Sequence, residues 1–457
     1  EEGKNFTSAN VKVDVFQRLK PSGVDFGEAA NTDDAVGGVR RDGSSRRHGS
    51  GSADAAQRRS ARKEGDGAGH CDVNSGLLPG LVWRAENTDF MYSTVMSDVL
   101  IPLRALKGRG VAHRQPHRFE RDARDAFDDG WGTVDAQNEA QALPPVTQVP
   151  FEDARSAITR NDSPDIGFSQ GLNPYRGCEH GCIYCYARPS HSFLGLSPGL
   201  DFETRLIAKR NLAEVLRAEL AHPRYRPEMI AVGTVTDAYQ PVERELRLTR
   251  AALKVLCSAR HPFSVVTKGS GVERDLDLIA PMGAQGLAAV YVTITTLDAK
   301  LARILEPRAA APHRRLRTLR TLAEAGVPVG VSVSPQIPFI NDDMEQVLAA
   351  AYDAGARRAF YQVLRLPWEL APMFRQWLEL HYPDRAARVM ARVQDLHGGK
   401  DYQADFGARM KGQGVWADLL RQRFNKACER LGYERERRAL DVSLFRPAAL
   451  RAQQELF

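Results

Sequence analysis

The chain has 457 residues, with 63 Lys and Arg against 57 Asp and Glu, so its formal net charge is +6. The length allows about two or three domains, and 43% hydrophobic with 26% charged residues is typical of a globular protein. No stretch approaches the ~20 unbroken apolar residues of a membrane helix, which excludes a spanning protein. Six cysteines are too few for a disulfide-held secreted scaffold. The charge permits a nucleic-acid partner without arguing for one.

Residues 1–95 differ in composition from the rest of the chain. The run from Asn31 to His70 consists mainly of Gly, Ala, Asp, Arg and Ser, with almost no large apolar residues. Such a segment cannot bury enough surface to offset the entropy of ordering it, so we predict that residues 1–95 are disordered. Globular character begins near Met91 and Met96. We therefore expect the biological start at one of them, with residues 1–95 not native; a disordered regulatory tail is the alternative.

A regular alternation of strands and helices follows a polar, turn-rich stretch that we interpret as an extended leader, residues 96–160. Six runs rich in β-branched residues predict strands: Gly167–Asn173, Met229–Thr236, Phe263–Thr267, Leu287–Thr295, Val327–Val333 and Arg358–Leu364. Amphipathic stretches between them predict helices, for example Leu246–Leu256, Leu316–Ala325 and Met344–Ala354. Such repeated units indicate an α/β fold with a parallel sheet. About six units favour a partial (β/α)6 TIM-like barrel over residues 161–365.

Residues 366–457 are predicted to form a helical C-terminal extension, because most of the stretch up to residue 432 has helical periodicity. Within the barrel, one predicted helix contains the basic run His313–Arg320. We interpret this run as a solvated helix face above a buried stripe of Leu316 and Leu319. A phosphate-binding patch is the alternative.

Three cysteines lie close together in NPYRGCEHGCIYCYARPS, with C-x3-C-x2-C spacing: Cys178, Cys182 and Cys185. Three thiolates on one short loop can converge on one inorganic centre, and Gly177 and Gly181 allow the backbone to fold tightly around it. The loop follows the first predicted strand of the barrel, at the end where parallel β/α folds build active sites. A structural zinc ion usually takes four ligands, and His180 or His191 could complete such a set. A 4Fe-4S cluster held by three cysteines instead keeps one iron open for catalysis.

The other three cysteines, Cys71, Cys257 and Cys428, are each isolated in the sequence. Cys257 and Cys428 lie on or near apolar helix faces, so we interpret both as buried small hydrophobic residues. No further C-x2-C pattern follows the loop. A second cluster is therefore not expected.

The cysteine loop and its surroundings resemble the radical S-adenosylmethionine (radical SAM) enzymes, in the branch that includes spore photoproduct lyase. The resemblance covers roughly residues 104–441 and includes the stretches GLNPYRGCEHGCIYCYARPSH, TVTDAYQPVE, TKGSGVERDLDLI and LEPRAAAPHRRLRTLRTLAEAGVPVGVSVSPQIPFIND. It implies a barrel of the radical SAM type whose three cysteines hold a 4Fe-4S cluster with S-adenosylmethionine on the open iron. One electron would split this cofactor into methionine and a 5′-deoxyadenosyl radical. The radical would abstract hydrogen from a substrate that the sequence does not identify.

The resemblance also implies which residues contact the cofactor. Tyr184 would contact the adenine, and Thr236 and Asp237 would lie beside the methionine end. Lys268, which closes the third predicted strand, would pair with the cofactor carboxylate. Arg308 would bind the same carboxylate or form a structural ion pair.

Further residues are expected around the cofactor or behind the cluster. Thr293 and Thr295 alternate along the fourth predicted strand and therefore share one face, which by resemblance is turned to the ribose or the substrate. His180 is expected to support the cluster without ligating it. Asn341 and Asp342, after the fifth strand, are expected to support the site in the same indirect way.

The sequence departs from spore photoproduct lyase at one position that matters for the reaction. That enzyme uses a cysteine near the end of the second strand as a hydrogen donor, and the matching stretch, Ala231 to Asp237, has none. The departure weighs against thymine-dimer repair. A DNA-repair lyase with a displaced donor such as a tyrosine is one alternative, and a non-catalytic zinc or iron–sulfur protein is another.

The implied chemistry also predicts partners and a compartment. One-electron reduction implies a donor of the flavodoxin or ferredoxin type. Nucleic acid and small metabolites both stay open as substrates, and no membrane partner is expected. An oxygen-sensitive cluster and a low cysteine count favour the cytoplasm.

Overall fold

The computed structural model describes residues 106–120, 146–434 and 439–450. The predictions for residues 1–95, the proposed start sites, Cys71 and much of the leader lie outside these described residues. Where the leader is described it contains turns, an isolated bridge between Gln148 and Arg205, two short strands and no helix. No helix in the described part of the chain is long and apolar enough to cross a membrane.

The strands of the described residues are, in chain order, β1 (Phe151–Glu152), β2 (Ile158–Arg160), β3 (Gln170–Leu172), β4 (Tyr175–Arg176), β5 (Ile207–Lys209), β6 (Ile230–Val232), β7 (Phe263–Thr267), β8 (Ala288–Thr293), β9 (Val329–Ser332) and β10 (Arg358–Phe360). Seven of them form the main sheet in the order β10-β9-β8-β7-β6-β3-β2. Six of these strands, β3 and β6–β10, are parallel to one another, and β2 pairs antiparallel with β3. A separate sheet has the order β1-β5-β4.

The α-helices of the described residues are α1 (Leu200–Thr204), α2 (Leu212–Ala221), α3 (Glu243–Leu246), α4 (Leu248–Ser258), α5 (Leu276–Ala284), α6 (Ala299–Leu305), α7 (Pro312–Glu324), α8 (Met344–Asp353), α9 (Leu370–His381), α10 (Pro383–Leu396), α11 (Ala408–Lys411) and α12 (Gly414–Leu431). Three 3-10 helices add Arg188–Leu194, Gly271–Asp275 and Pro447–Leu450. The predicted α/β class is thus confirmed. All six predicted barrel strands are present as β3 and β6–β10, while the short β1, β2, β4 and β5 were not anticipated.

The alternation along the strands explains the main hydrophobic core. On β8, Val290 and Val292 are fully buried in the core that the sheet forms with its flanking helices, while Tyr291 between them is only half-buried. Val331 on β9 belongs to the same core. Since successive side chains of a strand point to opposite faces, one face packs on helices and the other forms the inner surface of the sheet.

A glycine ends the helix before β9. Gly326 has a φ of +77°, and its N–H bonds to the carbonyl of Ala323 at 2.9 Å, which closes the C-terminus of α7. The basic run on α7 differs from the expectation in two respects. Leu319 is buried as predicted, but Leu316 is only half-buried. Arg315 is buried, because its side chain points inward to a carboxylate rather than to solvent.

The C-terminal extension packs against the cysteine loop. Trp377 and Phe374 of α9 share a second hydrophobic cluster with Cys182 and Ile183. The Trp377 indole N–H also donates to the carbonyl of Ile304 at 3.2 Å. The helical extension therefore covers one side of the loop that bears the cysteines.

Candidate functional site

The loop that bears the three cysteines follows β4 and turns on two glycines. Gly177 and Gly181 have φ values of +78° and +67°, a region that side chains rarely adopt. A Cβ at Gly177 would lie 2.8 Å from a ring carbon of His191, and one at Gly181 would lie 2.8 Å from a carboxylate oxygen of Glu203. Both positions therefore require glycine for backbone conformation and for space.

The three thiols lie in a largely desolvated environment. Cys178 and Cys182 are buried and Cys185 is half-buried. Burial, the Asp237 carboxylate and the two other cysteines raise the pKa of Cys178 well above its usual value. Burial also raises the pKa of Cys182 to about 12, although the nearby Lys268 ammonium opposes the shift.

The donor set fits a 4Fe-4S cluster held by three cysteines. Soft sulfur ligands on one loop are the ligands of such clusters. No three Cys, His, Asp or Glu side chains within the described ranges already converge as a compact group around a single ion. A cubane does not need such a group, because each of its cysteines binds a different iron.

The two histidines proposed as a fourth zinc ligand have other partners. His180 Nδ1 lies 3.2 Å from a carboxylate oxygen of Asp237. His191 is fully buried, and its Nε2 lies 3.0 Å from the Arg205 carbonyl oxygen. Since a carbonyl only accepts, Nε2 is the protonated nitrogen of His191. Burial lowers the pKa of His191 to about 4, so this ring is neutral at pH 7.

Asp237 is the acceptor of a dense hydrogen-bond network at the end of β6. It accepts from the Thr267 hydroxyl and from the Lys268 backbone N–H, each at 2.7 Å. Burial alone would raise the pKa of Asp237, but His180 and these two donors hold it far below its usual value. Asp237 is therefore an ionised carboxylate that links the cysteine loop to the end of β7.

Lys268 directly follows the carboxyl end of β7, beside the cysteine loop. Its ammonium is 5.7 Å from the centre of the Tyr184 ring. Burial would lower the pKa of Lys268, but the nearby Cys182, Glu306 and Asp237 raise it above its usual value. No carboxylate in the described residues lies within 4 Å of this ammonium, so its charge is available to an anionic ligand.

Tyr184 is held by a buried carboxylate that the sequence analysis did not identify. Its hydroxyl donates to Glu306 and lies 3.1 Å from the Thr295 hydroxyl. The Thr295 hydroxyl also donates to Glu306 at 2.5 Å. The Arg315 guanidinium forms a buried ion pair with the same carboxylate. Burial would raise the pKa of Glu306, but Arg315 and Lys268 keep it low and the carboxylate ionised.

Thr293, Thr295 and Asn341 lie together behind Tyr184. Arg315 donates to the Thr293 carbonyl at 3.0 Å. The Asn341 amide donates to the carbonyl of Thr295 at 2.8 Å, and its oxygen accepts from the Ile337 N–H at 2.7 Å. The structure thus brings these three predicted residues into one buried polar group with Tyr184.

Other predicted site residues have contacts that turn them away from this group. The Thr236 hydroxyl donates to the Tyr175 carbonyl at 3.1 Å. Arg308 forms an ion pair with Glu179 at 3.0 Å, which corresponds to the structural alternative named for it. Asp342 is exposed, whereas its neighbour Asp343 accepts from the Thr296 hydroxyl at 2.9 Å.

A segment of the leader packs directly on the cysteine loop. The Gly110 N–H donates to Glu203 at 3.0 Å, and Arg109 donates to the Glu203 carbonyl at 3.0 Å. Glu203 also pairs with Arg188 at 2.5 Å, with both side chains fully buried. Arg188 in turn donates to the Cys182 carbonyl at 2.8 Å. This chain of contacts was not predicted from the sequence, where its only signal is the presence of charged residues near apolar ones.

Comparison with known proteins gives a family and several relatives. Residues 172–351 match the model of the radical SAM superfamily. The chain is 36% identical over 226 residues to uncharacterized proteins of Mycobacterium bovis and Mycobacterium tuberculosis, covering 49% of this chain and 66% of theirs. An uncharacterized protein of Methanocaldococcus jannaschii is 28% identical over 213 residues, which cover 47% of this chain and 76% of that one.

Among solved structures, a cysteine-to-serine variant of spore photoproduct lyase is similar to this chain with a TM-score of 0.41 and 18% identity. The similarity covers 62% of this chain and 78% of that one. The chain spans 66% of the length of its mycobacterial relatives. The match to the superfamily begins in β3, includes the cysteine loop and continues into α8. Residues 172–351 of this chain are therefore a domain of the radical SAM superfamily.

Proposed function

We propose that this chain is a radical SAM enzyme that generates a 5′-deoxyadenosyl radical and uses it to abstract hydrogen from a substrate. The observation that carries the proposal is the loop of Cys178, Cys182 and Cys185, buried at the carboxyl ends of parallel strands inside a radical SAM domain. Three cysteines on such a loop suit a 4Fe-4S cluster with one open iron. The identity of the substrate is not part of the proposal.

When bound, the reduced cluster supplies one electron, which splits the sulfonium C–S bond of S-adenosylmethionine into methionine and the 5′-deoxyadenosyl radical. Lys268 is proposed to bind the cofactor carboxylate, because its ammonium is charged, lies near Cys182 and pairs with no described carboxylate. Asp237, with Thr236 beside it, is proposed to serve the methionine end. His180 supports the loop from behind through its contact with Asp237.

The adenosine end is proposed to lie against Tyr184. The hydroxyl of Tyr184 is fixed by Glu306 and Thr295, so its ring is oriented before a ligand binds. Thr293 and Thr295 are proposed to face the ribose or the substrate. Arg308 keeps its ion pair with Glu179 in this proposal and does not reach the cofactor. Asn341 and Asp342 retain only the indirect supporting roles predicted for them.

The finer architecture follows from the same proposal. We propose that the six parallel strands, β3 and β6–β10, curve into a partial (β/α)6 barrel. Their order in the sheet is the same as their order along the chain, as a barrel requires. Residues 161–365 would be its core, residues 96–160 its leader and residues 366–457 its helical extension. Packing of α9 and of Gly110 on the cysteine loop supports a site shielded from water, which a carbon radical needs.

The reaction needs one electron per cleavage event. A flavodoxin or ferredoxin is therefore proposed as the reducing partner. A compartment that keeps the thiols reduced, such as the cytoplasm, is proposed for the same reason.

Anaerobic purification and reduction test the proposal. We expect a brown protein with about four irons and four sulfides per chain, which releases 5′-deoxyadenosine from S-adenosylmethionine after reduction with dithionite. Cys182→Ala should abolish this release, while Cys257→Ala, a change on α4 away from the loop, should retain it. A colourless protein with one zinc per chain, or cleavage retained in Cys182→Ala, would contradict the proposal.

A DNA-repair lyase with a tyrosine donor is a second candidate, and one contact favours it. The Tyr186 hydroxyl donates to the carbonyl of Thr234, in the stretch where spore photoproduct lyase has its cysteine. Incubation of the reduced enzyme with UV-irradiated DNA tests it. Restored thymine in the wild type that is lost in Tyr186→Phe would support repair. No restored thymine, with S-adenosylmethionine cleavage intact, would exclude repair.

A further inference from the structure

We propose that the segment Leu305–Arg308, which runs from the last residue of α6 towards α7, is a clamp that positions the cysteine loop. The proposal deepens the proposed function, because it rests on the loop being the cluster-binding element. All four residues of the clamp lie against the loop. The loop follows β4 of the three-stranded sheet, whereas the clamp follows β8 of the main sheet by way of α6. The clamp therefore ties the loop to an element that follows a central strand of the main sheet.

Two backbone hydrogen bonds join the clamp to the loop. The Ile183 N–H donates to the Leu305 carbonyl at 3.1 Å, and the Arg308 N–H donates to the His180 carbonyl at 3.2 Å. The pairs run in opposite directions along the two segments. Both bonds run between backbone atoms, so their amides report on the spacing of the loop and the clamp.

Glu306 holds the loop at the residue before the third cysteine. It accepts from the Tyr184 hydroxyl, and both side chains are buried. Its other oxygen forms the ion pair with Arg315 of α7. A carboxylate buried in this way is stable only when it is paired and hydrogen-bonded, and every such bond fixes its position. Tyr184 is thus anchored through Glu306 to a main-core helix.

Arg308 holds the loop at the residue after the first cysteine. Its guanidinium pairs with Glu179 at 3.0 Å, and Glu179 also accepts from the Thr147 hydroxyl at 2.9 Å. Pro307 lies between the two anchors, and its Cγ would be 3.2 Å from a Cβ at Gly181. The loop is therefore held at Glu179, just after the first cysteine, and at Tyr184, just before the third.

This arrangement identifies Glu306 and Arg308 as positioning residues rather than catalytic residues. They act on the cysteines through Tyr184 and Glu179. Loss of one contact is expected to leave the thiols present but less well fixed. A precise cluster geometry depends on such supporting contacts.

Hydrogen–deuterium exchange of the full-length protein without a cluster tests the clamp directly. The reporters are the amides of Ile183 and Arg308, which bond across the clamp. Tyr184→Phe and Arg308→Gln should each speed their exchange about threefold, and the double variant about tenfold, as expected for the loss of one or two buried hydrogen bonds. Both variants keep the Glu306–Arg315 ion pair, so folding is preserved.

The matched control is Glu345→Gln, which removes an ion pair with Arg423 between α8 and α12, away from the loop. It should leave the exchange of both reporter amides unchanged. Reporter exchange in the double variant within twofold of the wild type would overturn the proposal. This measurement needs no cluster and no S-adenosylmethionine, so it can fail or succeed independently of the proposed function.

A second readout concerns the cluster. In reconstituted protein with equal iron content, the double variant should show a shifted reduction potential and an altered EPR spectrum of the reduced cluster. Glu345→Gln should show neither. An unchanged potential and spectrum in the double variant would mean that the clamp does not position the cluster, and would overturn that part of the proposal.

Discussion

Gly110→Ala tests whether the leader segment holds the cysteine loop in place. A Cβ at Gly110 would lie 1.8 Å from the Gly181 carbonyl oxygen and 3.2 Å from a guanidinium nitrogen of Arg188. Real Cβ atoms essentially never approach closer than 3.0 Å, so the two segments must separate by about 1.2 Å. The closest contact is with the Gly181 backbone, so no side-chain rotation can relieve it.

Overpacking of this kind costs about 1–3 kcal/mol of unfolding free energy, with the upper part of the range expected because backbone must move. The movement also weakens the bonds from the Gly110 N–H to Glu203, at 3.0 and 3.2 Å. A displacement of about 1 Å at a catalytic loop can lower the rate roughly 100-fold. We therefore expect a loss of 5′-deoxyadenosine formation that exceeds the loss of stability.

Urea unfolding and anaerobic turnover measure the two effects. The control is Gly271→Ala, where the nearest heavy atom to the new Cβ is 3.3 Å away on the Tyr239 ring. That variant should keep its activity and lose less than about 1 kcal/mol. Gly110→Ala with the stability and turnover of the wild type would refute the packing of the leader on the loop.

Three further predictions concern single side chains. Lys268→Gln should weaken S-adenosylmethionine binding by the cluster-loaded protein about 10- to 100-fold, the usual loss for a charged hydrogen bond; unchanged calorimetric affinity would contradict its role. Burial lowers the pKa of His261 to about 4 from 6.5, so only the unfolded chain takes up this proton between these values. His261 should therefore contribute about 1.4 kcal/mol per pH unit to the loss of stability on acidification, and His261→Gln should reduce the measured slope by that amount in urea titrations. Asp165→Asn should cost about 3 kcal/mol, because it breaks the ion pair at 2.6 Å with the fully buried Arg409; the exposed change Asp418→Asn should cost less than about 1 kcal/mol.

Much of the architecture could be predicted because it depends on local pattern. Phe263–Thr267 was predicted with the bounds that β7 has, and Met344–Ala354 differs from α8 by one residue. The apolar periodicity of these two segments directly indicates which face of each is buried. The strands β1 and β4 could not be predicted in this way, because two residues are too few to show a period.

The candidate site divides in the same way. The spacing of Cys178, Cys182 and Cys185 identified the loop, because neighbouring residues on a short loop converge without help from the rest of the fold. Glu306 was missed, since its contact with Tyr184 joins residues 122 positions apart. Glu203, whose carbonyl accepts from Arg109 94 positions away, was missed for the same reason.

By itself, the sequence determined the α/β class, the cysteine loop and its resemblance to radical SAM enzymes. Local propensity, periodicity and close spacing are properties of neighbouring residues, and they are readable before folding. Only the tertiary structure decided which carboxylates hold the loop, that Arg315 turns inward, and that Arg308 pairs with Glu179. A buried charge is stable only beside its partner, and the partner is chosen by the packing of distant segments.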